Sequence, residues 1–173
     1  MVAVAGGTVF AADTATIAAK TTGRLVCKLV QQVAGQQTAL TTATDIVLTF
    51  GASSEEIDTH NAHDTTTNNS RITPTVAGIY RVDIKPILAF STTITSIHTF
   101  VRKTGTVFER TGNHKPNATA NVNIGAPQMS TLIAMNGTTD YLEAGISFVA
   151  SANQATNNVA GSTCTFTVTY ERD

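Results

Sequence analysis

From Arg24 onward the apolar residues of this chain recur at every second position. In RLVCKLV, Leu25, Cys27 and Leu29 fall on one face. In YRVDIKPILAF, Tyr80, Val82, Ile84, Pro86, Leu88 and Phe90 share a face, while Arg81, Asp83 and Lys85 share the other. YLEAGISFVA aligns Leu142, Ala144, Ile146 and Phe148, and TCTFTVTY sets Cys164, Phe166, Val168 and Tyr170 against a threonine ladder. A period of two in β-branched and aromatic residues predicts half-buried strands. Turn pairs separate them at Thr104-Gly105, Thr111-Gly112-Asn113 and Asn136-Gly137, the last a hairpin signal. The pattern supports about nine or ten strands with no intervening helices, which predicts an antiparallel sandwich in jelly-roll form.

Residues 1–22 read differently. Asp13 can cap a short helix through TATIAAK, with Lys20 near its end and Gly23 as the stop. Two turns of helix are marginal alone, and a free arm of Ala, Thr and Gly frays. The expectation is an arm, 1–22, that another surface holds, followed by a jelly-roll domain, 23–173. Within the arm, Val9, Phe10 and Ile17 are the larger apolar groups available for anchoring.

Charge changes the picture more than hydrophobicity does. Of 173 residues, 42% are hydrophobic but only 13% are charged, against about 25% in ordinary soluble domains. Neutral polar residues, threonine above all, take the place of the missing ions. Such a surface sheds water at low cost and suits an interface. The net charge of −1, without basic clusters, gives no footing for nucleic acid. No apolar run is long enough for a membrane-spanning helix, and the start MVAVAGGTVFAAD lacks the basic region of a signal peptide. Two cysteines without a CxxC pair exclude a zinc ribbon.

One stretch, EEIDTHNAHDTTTNNSRITP, gathers Asp58, His60, His63 and Asp64 within seven positions. Histidine and aspartate together ligate divalent metals, and a loop could bring the four together. The competing reading is an ordered interstrand loop whose DTTTNN run forms Asx and threonine turns. No third histidine is spaced to complete a site, so the loop reading is preferred and no metal or other cofactor is expected. His98 reads as a satisfied or interfacial polar residue and His114 as a loop residue. Glu55 and Glu56 are adjacent, so on a strand they point apart rather than forming a catalytic pair. No nucleophile, base and orienting group can be assembled, so an enzyme is not expected.

ITPTVAGIYRVDI resembles the strand entry of the C1q/tumour-necrosis-factor-like jelly roll, where Gly-x-Tyr opens a long inner strand; Gly78 and Tyr80 match. STLIAMNGTTDYLEAGISF resembles the F–G hairpin of that family, with Asp140 before the second strand. The glycine that often follows the aromatic of the last strand is absent from TFTVTY, which points away from the cellular branch. EEIDTHNAHDTTTNNSRITPTVAGIYR, together with GGTVFAADTATI, is similar to small virion proteins of tailed bacteriophages. The resemblance implies a homotrimer displayed on a viral particle. The expected function is a capsid decoration (cement) protein, bound to a major capsid protein or another virion component and assembled in the host cytoplasm. The alternative is the receptor-binding head of a tail fibre or tail tip. The resemblance also implies that QMSTLIAMN, apolar on both faces, runs near the threefold axis, making Leu132 and Ile133 interface candidates. It further implies neighbouring first and last strands, so that Cys27 and Cys164 should be buried, close together and reduced.

Overall fold

The computed structural model describes residues 24–31, 37–90, 93–112, 122–156, 158–159 and 162–173. Among these lie fifteen strands, numbered here in chain order, several of only two residues. The first sheet has the order β10 (Met129–Asn136), β5 (Ala77–Lys85), β15 (Thr165–Arg172), β1 (Val26–Val30), β3 (Glu55–Asp58), every pair antiparallel. The second has the order β2 (Asp45–Val47), β11 (Leu142–Ala150), β7 (Ile94–Lys103), β8 (Thr106–Arg110), with β4 (Arg71–Ile72) also pairing β11. A third sheet joins β12 (Ala155–Thr156), β6 (Ile87–Phe90) and β9 (Val122–Gly125), and β13 (Asn158–Val159) pairs β14 (Ser162–Thr163). This is the all-β, antiparallel jelly roll that the alternation predicts.

The core fills the space between the first two sheets. Tyr80, Val82, Ile84, Ile133, Phe166 and Val168 come from one side, and Ile97, Val101, Leu142, Ala144, Ile146 and Phe148 from the other. Each such side chain removed from water contributes roughly 1.5–3 kcal/mol. Phe50 and Phe166 meet across the core with ring centroids 6.0 Å apart. The two Gly-containing turns behave differently. Thr104 (φ 50°) and Gly105 (φ 80°) both take left-handed backbone, the geometry of a tight hairpin, and join β7 to β8. The Asn136-Gly137 turn makes no hairpin: β10 pairs β5 and β11 pairs β7, so the turn carries the chain from one sheet to the other.

Three further expectations need correction. YRVDIKPILAF is not one strand. Pro86 has no N–H for a ladder; there β5 leaves the first sheet and β6 enters the third. Cys164 closes the corner, its Sγ accepting from the Ile87 N–H at 3.1 Å and donating to the Ile87 carbonyl at 3.0 Å. Cys27, on β1, and Cys164, just before β15, are both buried and form no disulfide, yet they are not close. Cys27 lies opposite Val168, four residues beyond Cys164, which is about 13 Å along the strand and too far for a disulfide. Ile133 points into the core of its own protomer and is only 1% exposed, so it is no interface residue; Leu132, 54% exposed, is the outward one. Residues 1–22, with the predicted helix and Val9, Phe10 and Ile17, lie outside the described residues, as does His114.

Candidate functional site

The 58–73 loop is closed by backbone bonds. His63 bridges to Ile72, and the Thr73 N–H donates to the Ala62 carbonyl at 2.7 Å. Inside it the four candidate metal ligands are otherwise engaged. The Asp58 carboxylate accepts the N–H groups of His60 (3.1 Å) and His63 (2.8 Å). His60 Nδ1 meets the Thr59 hydroxyl at 2.7 Å. The His63 ring is buried between Glu55 Oε2 and the Asn69 carbonyl, each at 3.4 Å. Asp64 Oδ1 accepts from the N–H and hydroxyl of Thr66 and from the N–H of Thr67, an Asx turn. Those donors, led by the Thr66 N–H, hold the Asp64 carboxyl down at about 2. Among the described residues no three of His, Cys, Asp and Glu converge on one point.

What the loop does form is an open pocket of about 740 Å³. Asn61, His63, Asp64, Asn68 and Arg71 of the loop line it together with Thr139 and Tyr141. Arg71 is fixed by two contacts. Its guanidinium lies 4.0 Å from the Tyr141 ring centroid, and its Nε is 3.2 Å from Glu143 Oε1. Glu143 also accepts from the Ser70 hydroxyl at 3.2 Å. Strand alternation puts Glu143 on the face opposite Leu142 and Ala144, where exposure is expected, yet it is buried. A buried carboxylate requires a partner, and the demand could have been read from Arg71 only with the β4–β11 pairing in hand.

A second candidate surface is the outward face of the first sheet. Leu132 lies opposite Arg81, then Thr169, then Val26 across β10, β5, β15 and β1. The adjacent row runs Ser130, Asp83, Thr167, Lys28, Ile57. Two of its cations are paired, Arg81 with Glu171 at 3.1 Å and Lys28 with Glu56 at 2.6 Å. Of the four exposed large apolar residues among the described ones, Leu132 (54%) and Ile57 (44%) sit on the two edge strands of this sheet. A depression of about 330 Å³ opens beside Ser130, Asp83 and Thr165.

On the second sheet Asp45 accepts two bonds from Arg110 (2.7 and 2.9 Å) and faces Arg102 at 3.9 Å. Arg110, the larger influence, holds the Asp45 carboxyl below its ordinary range. Both guanidiniums lie over the Phe100 ring, at 5.1 and 5.2 Å. His98 Nδ1 sits 3.1 Å from the Thr111 carbonyl, a satisfied polar residue.

With this geometry the chain falls into the class of C1q/TNF-like jelly rolls. Among solved structures it is similar to murine APRIL at pH 5.0, with 11% identity and a TM-score of 0.58 over 86% of this chain and 100% of that one. Crystals of murine APRIL at pH 8.0 and pH 8.5 match over the same shares at 10% identity and a TM-score of 0.57. At such identity the likeness concerns the fold. No protein-family model and no curated protein matches the sequence.

Proposed function

We propose that this chain is a structural, non-enzymatic jelly-roll module that assembles into a homotrimer and decorates the outside of a viral capsid. The observation that carries the trimer is the outward face of the first sheet, neutral and threonine-rich, with Leu132 on one edge strand and Ile57 on the opposite edge. Apolar groups at opposite edges of one face suit a heterologous contact, in which the edge of each copy packs on the next. Such contacts close into rings when the rotation between copies divides a full turn, and a trimer needs a third of a turn. The hydroxyls and the two ion pairs on the same face lose water at lower cost than bare ions would. The fold likeness to APRIL, a TNF-like jelly roll, supports the same reading.

Light scattering tests it. The wild type should show a mass three times the 18.1 kDa of the chain. Leu132→Asp should give a folded monomer, because an unpaired charge in a dry interface is costly. A wild-type monomer ends the proposal.

Placement on a capsid rests on the sequence of the arm, whose small residues and the side chains of Val9, Phe10 and Ile17 fit attachment to a shell built from a major capsid protein. Three arms acting together turn weak contacts into firm attachment. Deleting residues 1–20 and mixing the protein with undecorated particles tests this: the truncated trimer should no longer bind. The second reading, a receptor-binding head of a tail fibre or tail tip, is favoured by the polar pocket beside Tyr141. Copy number per virion, hundreds against tens or fewer, separates the two.

A further inference from the structure

We propose that the pocket between the 61–73 loop and Tyr141 binds a neutral saccharide. At about 740 Å³ it falls within the roughly 300–1,000 Å³ of small-ligand sites. Its walls decide the chemistry. The amides of Asn61 and Asn68, the carboxylate of Asp64, the hydroxyl of Thr139 and the guanidinium of Arg71 border it, with the Tyr141 ring as its aromatic surface. An apolar ligand would strip water from all of these without replacing it. A free anion finds no surplus cation, because Arg71 is already paired with Glu143 and Asp64 stands opposite. A metal ion finds no set of three ligands among the described residues. A sugar hydroxyl both donates and accepts, which is what mixed amide, carboxylate and guanidinium walls can use. The CH groups of a pyranose supply apolar surface for the Tyr141 ring, one face of which Arg71 already covers.

The walls are also held in place before any ligand arrives. Asp64 Oδ1 is fixed by three donors from Thr66 and Thr67. Arg71, a lining residue, is clamped between Glu143 and Tyr141. Asn61 holds left-handed backbone at φ 53°, a conformation that asparagine tolerates better than most residues. Fixing the donors in advance lowers the ordering cost of binding. The inference stands whether or not the chain decorates a capsid, since it uses only one protomer.

The test is saturation-transfer NMR of the full-length protein with neutral trisaccharides of glucose, galactose, mannose and N-acetylglucosamine, and with sialyllactose as the acidic probe. At least one neutral trisaccharide should receive saturation. Arg71→Met and Asn68→Ala should each weaken its binding roughly tenfold or more, since each removes hydrogen bonds to the ligand. Asn68→Ala leaves the backbone bond from the Arg71 N–H to the Asn68 carbonyl in place, so it reports on the pocket even where Arg71→Met unfolds the loop. No transfer to any neutral sugar, transfer to sialyllactose alone, or full binding by folded Asn68→Ala overturns the proposal.

Discussion

Replacing Gly78 with alanine should destabilise the protein far more than one methyl group suggests. Gly78 holds φ at +152°, a backbone region that side-chain-bearing residues rarely adopt. A Cβ built there would stand 2.6 Å from the Tyr170 ring and 2.7 Å from the Arg172 carbonyl oxygen. Ordinary carbon contacts lie at about 3.5–4.0 Å, so a gap of about 1 Å has to open. The ring could tilt, but its edge-on contact with Tyr80, at 5.3 Å, would be lost. The carbonyl belongs to the backbone of β15, whose pairing with β5 already shifts register between Tyr170 and Arg172. Backbone strain costs about 1–3 kcal/mol and overpacking a similar amount, so a loss of about 2–4 kcal/mol is expected. For a domain of this size that corresponds to a melting temperature lower by about 5–15 °C. Gly112 is the control, since nothing lies within 4 Å of a Cβ there. Gly112→Ala should stay within about 0.5 kcal/mol of the parent. Melting curves at one fixed protein concentration decide the matter, and a Gly78→Ala protein that melts with the parent would refute the reasoning.

A Cβ on Gly145 would stand 2.1 Å from Phe100 Cζ and 2.8 Å from the Ile46 carbonyl, so Gly145→Ala should cost about 1–3 kcal/mol in denaturant titration. Adding Phe100→Leu should recover part of it, and no recovery would mean that the Ile46 backbone dominates. The Asp140 carboxyl is held below its ordinary range, first by Lys103 and then by the Asn136 N–H. Its stabilising effect is therefore present above the ordinary carboxylate pKa of about 3.9 and disappears as pH falls through the lower, folded value. The melting gap between wild type and Asp140→Ala should be widest at neutral pH and narrow as pH falls through the folded value; a constant gap would show that charge is not its source. Burial pushes the Cys27 thiol far up, with Asp58 and Glu55 adding to it, and Cys164 is enclosed with Ile87. Both should resist thiol reagents until unfolding, and fast labelling of either contradicts the packing. Monomeric Leu132→Asp should keep its affinity for a soluble trisaccharide but bind a surface coated with that sugar roughly 100- to 10,000-fold more weakly. Equal retention of both proteins on the surface would mean that the three pockets do not engage it together.

The strands were legible because one buried face imposes a period of two. Leu142, Ala144, Ile146 and Phe148 could be placed from their spacing alone, and all four are in the core. Gly78 was legible for a different reason: Gly-x-Tyr matches the family's strand entry, although the Tyr170 ring that crowds it lies far along the chain. Sheet membership was not legible. Alternation is the same whichever sheet a strand joins, so nothing in YRVDIKPILAF except Pro86 marked the change from the first sheet to the third. The Asn136-Gly137 pair signalled a turn but not that its two strands would separate. The candidate site was read at its loop and missed at its walls. Asp58 and Asp64 drew attention by proximity in sequence, yet their oxygens serve the backbone of the loop. Arg71, Tyr141 and Glu143 are brought together by a pairing across some 70 residues, and no local pattern carries that information.

The two candidate surfaces are joined by one rigid connection. Asn136 Oδ1 accepts the N–H groups of Thr138, Thr139 and Asp140, while Asp140 Oδ2 accepts the Asn136 N–H at 2.9 Å. Lys103 bonds Asp140 at 2.9 Å and the Ala134 carbonyl at 2.7 Å, tying the end of β7 to β10. On one side of this clamp lies Leu132 of the sheet face; on the other lie Thr139 and Tyr141 of the pocket. The Thr104 N–H donates to the Tyr141 carbonyl at 2.9 Å, so the hairpin end of β7 holds the backbone at Tyr141. A connection held at so many points has no cheap second arrangement, and a bistable element is what coupling between sites requires. The proposed assembly through Leu132 and the proposed binding at Tyr141 would therefore be geometrically linked but energetically independent. The rigid clamp sets the orientation of the pocket relative to the sheet face, while a trimer would set only how many pockets a surface meets at once.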